Sequence, residues 1–297
     1  MNIARDFFAL QVGDRIPTIF EYTEKFSASR GIVQNAIAEL EAAGCVSIDK
    51  KGVKGTYLTA IDYDLLYPFT NWGSITGTMP VPLNSYLASL TTAVCEQMDK
   101  APFPFSFAYV TGSEKRMEAM KSMMYDFMIA SQSAAQIYLE KYDFLNVCAT
   151  LKECIYSSDY AICFLDPQKK QIEDGMRVGI DPTSCDQATL TRRLCSGHSV
   201  EFVNFPYISI EDLIKKRRVD CVVYRIGDWS NVDNIPLSIV KPQPVPGFSD
   251  EEARAPVVLT HKDNYGIDRL LGQYLDGEEL QRIQTEVLMG RRSVKFY

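Results

Sequence analysis

Beyond Trp72 the chain alternates between short runs rich in β-branched and aromatic residues and longer runs with helical spacing, and no other feature restricts its fold as much. Ser74 to Met79 is strand-like and Leu83 to Lys100 helix-like. Phe105 to Val110 with Glu114 to Met123, and Tyr125 to Ala130 with Ala134 to Lys141, repeat the pair. A second series runs through Arg177 to Ile180, Asp186 to Cys195, Val200 to Phe205, Ile210 to Arg218 and Asp220 to Ile226. Strands separated by helices cannot close as hairpins and must cross over, so each series predicts a parallel sheet flanked by helices. Two series predict two α/β lobes. Residues 231–256 are proline-rich and read as loop, Val257 to Thr260 as a strand, and Ile267 to Leu288 as one or two closing helices with a break at Gly277.

The first sixty residues have a different texture. An apolar run from Ile3 to Leu10 ends before Gly13, and a second begins at Ile16-Pro17-Thr18 and reaches Phe26, with Pro17 suited to a first helical position. Ser27-Ala28-Ser29 breaks the pattern. Ile32, Val33, Ala36, Ile37 and Leu40 then recur at helical spacing until Gly44. Two short β-prone stretches, Cys45 to Asp49 and Thr56 to Ala60, flank Lys50-Lys51-Gly52-Val53-Lys54-Gly55, a basic hairpin tip. This order predicts a winged helix-turn-helix over residues 1–60. Residues 61–72 lose periodicity, include Pro68 and Asn71, and read as a linker to a bilobed domain over residues 73–297.

Such an N-terminal unit would set its second helix in the major groove of DNA, which calls for small or polar residues near the helix start. Ser27 and Ser29 suit capping and phosphate contact, Arg30 a phosphate or base edge, and Gln34 and Asn35 are side chains that pair with adenine. Gly31 weakens a helix, which close approach to a sugar-phosphate backbone would explain; Lys51 and Lys54 suit phosphates beside the wing. A bland alternative is an ordinary amphipathic helix and a solvated hairpin, since acids and bases balance through Lys54.

A particular spacing favours DNA: Gly13-Asp14-Arg15-Ile16-Pro17-Thr18, then Ser29-Arg30-x-x-Val33-x-x-Ala36-Ile37-x-x-Leu40-x-x-x-Gly44, then Gly52-x-x-Gly55-Thr56-Tyr57 resembles the GntR-type winged helix. Met79-Pro80-Val81-Pro82-Leu83, Tyr125 through Ser131, Val178-Gly179-Ile180-Asp181 and Val219 through Val223 extend the likeness. The whole chain resembles the YhfZ-type regulators. That resemblance implies an α/β protein with a winged helix fused to a bilobed domain like the type II periplasmic binding proteins.

In such folds small molecules sit beyond the carboxyl ends of strands, where helix N-termini offer free N–H groups. The expected strand-to-helix turns here are polar and suit a carboxylate or phosphate. Ser131, Gln132, Thr183 and Ser184, from different lobes, are the first candidates for binding an effector; Asn84 and Thr111 follow, with Tyr224 and Arg225 after a strand as further lining. Each serine or threonine is equally suited to plain helix capping.

Composition narrows the remaining classes. Of 297 residues 46% are apolar and 23% charged, which supplies a core and gives no case for disorder. The net charge of -7 argues against coating nucleic acid through bulk electrostatics, so DNA contact must come from a local patch. The start, Met1-Asn2-Ile3-Ala4-Arg5-Asp6, lacks a basic segment followed by a long apolar run, and a cytoplasmic protein without membrane contact is expected. The 8 cysteines are scattered without a Cys-x-x-Cys pair, the two histidines stand outside any metal-spaced cluster, and neither metal nor cofactor is expected. Phosphate-loop, dinucleotide, nucleophile-elbow and zinc-protease motifs are absent. Asp166, Asp181, Glu201 and Asp220 form no spaced pair, and Cys185 or Cys195 with His198 lacks an orienting third group. The expectation is therefore a non-enzymatic bacterial transcription regulator whose partners are a double-stranded operator, a small anionic effector and a second copy of itself. A cytosolic enzyme or small-molecule carrier is the alternative.

Overall fold

A computed structural model describes residues 3–225, 235–264 and 266–296. Ile226, the far end of one expected strand, and residues 231–234, the start of the expected proline-rich loop, lie outside them. The chain opens with α1 (Ile3–Phe8), α2 (Ile19–Phe26) and α3 (Arg30–Ala42), followed by the antiparallel pair β1 (Val46–Lys50) and β2 (Thr56–Ile61). A bridge between Arg15 and Tyr57 adds a third edge to that hairpin. This is the expected helix-turn-helix and wing, with two local corrections. Pro17 precedes α2 rather than opening it, because Thr18 takes the cap: Glu21 N–H donates to Thr18 Oγ1 at 3.2 Å and Thr18 N–H to Glu21 Oε2 at 2.6 Å. Ser27 closes α2 in the left-handed region (φ 48°), which leaves Ser29 alone as the cap of α3.

The segment expected as linker is α4 (Tyr63–Thr70). Asp62 caps it by accepting from Asp64 and Leu65 N–H at 3.0 Å, and Leu66, Tyr67 and Thr70 face the core. The helix hides from pattern analysis because it is about two turns long and carries Pro68, whose missing N–H breaks one internal bond.

Two five-stranded sheets follow among the described residues. The first orders β4 (Phe105–Tyr109), β3 (Ile75–Met79), β5 (Phe127–Ser131), β12 (Pro256–His261) and β6 (Leu145–Thr150). The second orders β11 (Ser238–Val240), β7 (Tyr160–Phe164), β10 (Cys221–Arg225), β8 (Arg177–Ile180) and β9 (Glu201–Asn204). Helices α5 (Ser85–Met98), α6 (Ser113–Lys121) and α7 (Gln132–Lys141) belong to the first lobe, and α8 (Cys185–Leu194) and α9 (Ile210–Lys215) to the second. The bilobed α/β expectation holds, but the sheets are mixed. Crossovers keep β4, β3 and β5 parallel, as they do β9, β8 and β10, whereas β12 runs antiparallel to β5 and β6, and β7 antiparallel to β10 and β11.

The antiparallel strands are those the periodic series did not include. The expected proline-rich loop holds β11 and the short helix α10 (Asp250–Arg254), and β12 then returns the chain to the first sheet. It therefore crosses between lobes twice, through residues 151–159 and 241–255. The crossings bind each other: Tyr156 N–H donates to Arg254 O at 2.7 Å, and Ser157 Oγ to Ala253 O at 3.3 Å. Two closing helices, α11 (Ile267–Tyr274) and α12 (Gly277–Leu288), pack on the first lobe, with Gly277 the first residue of α12 after the Asp276 cap. Among the described residues no helix is long and apolar enough to cross a membrane.

The winged helix and first lobe share one core, in which Phe7, Phe8, Tyr22, Val33 and Leu40 are continuous with Leu66, Ile75, Leu90, Phe127 and Leu271. Phe8 packs edge-on to Trp72 with ring centroids 5.0 Å apart, and Trp72 Nε1 donates to Asn264 Oδ1 at 3.2 Å. Burial pushes the Asp126 carboxyl up, while Thr76 N–H and Asn264 Nδ2 donate to it at 2.9 and 3.0 Å. The second lobe builds its core separately: Tyr160, Ile162, Phe164 and Val223 face one side of its sheet, Cys163, Val222 and Tyr224 the other.

Candidate nucleic-acid interface and interlobe cleft

Helix α3 buries Val33, Ile37 and Leu40 against the rest of the winged helix. The 3.6-residue period then turns Arg30, Gly31, Gln34 and Asn35 to solvent, all exposed within its first turns. Ser29 caps the helix by accepting from Ile32 N–H at 3.4 Å, and exposed Ser27 stands in the turn before it. Ile32, assigned by spacing to the buried stripe, is instead 55% exposed beside these polar groups. A Cβ built at Gly31 meets no protein atom within 4 Å, so nothing within the fold requires glycine there. In the wing, Lys51 precedes and Lys54 ends a tight turn over Gly52–Lys54. Lys51 Nζ lies 3.6 Å from Asp49 Oδ2 and 5.2 Å from the centroid of Tyr57, whereas Lys54 is exposed with no ion pair among the described residues.

The second site is a cleft of about 320 Å³ between the lobes, within the range of small-molecule pockets. Asn84, Thr111, Ser131, Ser184, Tyr224 and Arg225 line it, as the turn positions suggested. Most of these groups already serve the fold. Asn84 caps α5 through Leu87 N–H at 2.9 Å, and Ser131 caps α7 through Ala134 N–H at 3.2 Å. Gln132 and Thr183 are absent from the lining. Gln132 faces a groove beside the crossings, with Lys152, Asp159 and Arg254. Thr183 folds back on Asp181, whose Oδ1 accepts its N–H at 2.8 Å and its hydroxyl at 2.7 Å.

Thr183 also forms half of a latch between lobes. Its carbonyl accepts from Glu114 N–H at 3.2 Å and Ser113 Oγ at 3.4 Å, while Ser113 Oγ accepts from Cys185 N–H at 3.0 Å and Tyr138 Oη at 2.8 Å. Gly112 permits this approach: its φ is 83°, and a Cβ there would stand 2.6 Å from Thr183 Oγ1. Burial pushes the Cys185 thiol up to about 12 and Cys195 up to about 11, so neither is a ready thiolate near neutrality.

Two features of the cleft escaped the sequence. Asp186, in the first turn of α8, accepts from Arg225 Nη2 at 2.9 Å and from Ser131 Oγ across the lobes at 3.2 Å. Arg225 is in turn held by Ser158 O at 2.9 Å and lies 4.0 Å from the Tyr160 ring centroid. The other is Arg116, 3% exposed, whose Nη1 donates to Val110 O at 2.7 Å while its Nε is buried without a hydrogen-bond partner. No carboxylate of the described residues is within ion-pairing reach of it. Arg116 is the fourth residue of α6 and follows exposed Lys115, so no local signal in the sequence set it apart.

Comparison with known proteins agrees with this architecture. A helix-turn-helix domain model matches residues 11–58, and the YhfZ C-terminal domain model matches residues 62–296. The chain is 27% identical to the YhfZ protein of Escherichia coli (strain K12) over 298 residues, spanning 99% of this chain and 95% of that one. Among solved structures, YhfZ from Shigella flexneri matches with a TM-score of 0.64 at 24% identity, covering 78% of this chain and 97% of that one. An arginine-specific periplasmic binding protein of Salmonella typhimurium matches with a TM-score of 0.51 at 15% identity, covering 73% of this chain and 96% of that one, a likeness of fold alone. A helix-turn-helix joined through a shared core to a two-lobed binding-protein fold, with the YhfZ C-terminal domain model matching residues 62–296, identifies the chain as a member of the YhfZ family.

Proposed function

We propose that the protein is a GntR-like, cytoplasmic transcription regulator that binds its operator as a homodimer and senses a small anionic metabolite in the interlobe cleft. The observation that carries the DNA half is the outward polar face of α3, with Arg30, Gln34 and Asn35 on a helix whose opposite face is fully committed to the core. Arg30 and Lys54 supply phosphate contacts despite the net charge of -7, and Gln34 and Asn35 read base edges; exposed Ile32 suits a thymine methyl. Gly31 allows the helix to approach the sugar-phosphate backbone. One winged helix seldom gathers enough contacts for a specific site, which is the reason for two copies.

The effector half rests on Arg116. A guanidinium buried without a carboxylate is costly, and an anionic ligand in the cleft it lines would relieve that cost. The test is fluorescence anisotropy of the full chain with DNA from its own upstream region across a salt series, beside Arg30→Ala. Sequence-selective, salt-sensitive binding is expected, weakened across sequences in the variant with the salt slope reduced by about 1, as loss of a phosphate contact requires. Binding indifferent to sequence and to the substitution would remove the regulator reading.

A further inference from the structure

The sharing of fold with an arginine-binding protein raises the question whether this cleft takes an amino acid. We infer that it does not: the occupant is a monocarboxylate with an apolar body and no ammonium group. This inference rests on the reading of the cleft as an effector site.

An ammonium group needs a carboxylate with an acceptor position to spare. Asp186 is the buried acid of the cleft, and its oxygens are in use: Arg225 Nη2 at 2.9 Å and Ser131 Oγ at 3.2 Å meet Oδ2, while Gln187 N–H at 3.0 Å and Ser184 Oγ at 3.4 Å meet Oδ1. A carboxylate offers about four acceptor positions, so an incoming cation would have to displace Arg225 from a buried ion pair. Glu211, the other acid of the lining, is about a third exposed and stands 3.3 Å from Lys215 Nζ, so an ammonium group there would compete with water and with that lysine rather than find a buried partner. Arg225 and Asp186 cancel, and Arg116 leaves one positive charge unanswered among the described residues of the cleft. One planar guanidinium with a buried, idle Nε matches one carboxylate better than a phosphate dianion, whose second charge would have no partner.

Much of the remaining wall is apolar, interleaved with hydroxyls such as those of Thr111, Ser157 and Tyr207. Val81, Leu83 and Leu87 face it from the first lobe, Ile208 and Ile210 from the second. Leu83 is 57% and Ile208 47% exposed, so a hydrocarbon body between the lobes would cover surface that the fold leaves in water.

The experiment is calorimetric titration of the full chain with matched pairs differing only in the amino group: isocaproate and leucine, hydrocinnamate and phenylalanine, butyrate and α-aminobutyrate. Acetate and inorganic phosphate are added as bare anions. At least one apolar acid is expected to bind about tenfold or more tighter than its amino counterpart and than either bare anion, about 1.4 kcal/mol. Arg116→Met should abolish that binding, and Arg116→Lys, which keeps the charge without the fork, should fall between. Equal or tighter binding of an amino acid, still lost in Arg116→Met, would overturn the ammonium exclusion and leave the anion anchor standing. Tighter binding of phosphate would overturn the choice of carboxylate. Failure of every acid to bind, or binding indifferent to Arg116, would overturn both the inference and the anion-sensing reading on which it rests.

Discussion

The two lobes have similar sheets but stand in opposite relations to the DNA-binding unit. The first shares a core with the winged helix, through Phe8 against Trp72 and α4 between them. The second builds its own two clusters and meets the first through the chain crossings, the Thr183 latch, the Ser131 to Asp186 bond and Cys185 of α8, which joins a small buried cluster with Met117, Met120 and Tyr138 of the first lobe. The difference is one of kind. A continuous apolar core is close-packed and resists sliding, whereas a seam held by a few buried hydrogen bonds and one small apolar contact has less to lose on opening. Motion of the second lobe is therefore expected to leave the winged helix fixed to the first; in the effector-sensing dimer proposed above, a ligand would act by changing how two such rigid units face one another.

The largest test of this contrast is Phe8→Ala, expected to cost about 3–5 kcal/mol. Calorimetry should find the winged helix and first lobe melting together at a lower temperature. A separate early transition, with the first lobe unchanged, would show that they are not one unit and break the comparison. Ser131→Ala removes both the α7 cap and the interlobe bond, for about 1–2 kcal/mol. Hydrogen exchange should rise around α8 and the crossings and stay constant in α1 to α3. Increased exchange in the recognition helix would mean that the lobes communicate through packing after all. Gly31→Ala is expected to act in the opposite direction, raising the unfolding free energy measured in urea by about 0.5–1 kcal/mol, since its added methyl meets nothing. The same variant should bind DNA more weakly; unchanged affinity would leave the glycine without an explanation.

Locally coded parts of the molecule were readable in advance. Capping, helical period and the lysine-glycine hairpin are set by neighbours a few residues apart, so α3, the wing and most crossover helices fall where their spacing predicts. Mistakes arose where local rules compete: Pro17 against Thr18 for the start of α2, or Pro68 inside a helix whose burial outweighs one lost bond. Ile32 departs from its spacing because apolar character does not reveal which way a helix is rolled on its core.

The cleft was legible only in outline. Strand ends marked six of its lining residues, because the carboxyl ends of crossover strands converge by topology. Which of those groups remains available was decided elsewhere. Asp186 and Arg225 lie 39 residues apart and cancel only when α8 and β10 pack side by side, and Thr183 is turned away by Asp181. Sequence by itself determined the recognition helix, the wing and the two-lobed plan, since each follows from periodicity and crossover geometry. The tertiary structure alone decided that Arg116 is the charge left unanswered, because a charge balance inside a cavity depends on every group that folding brings within reach.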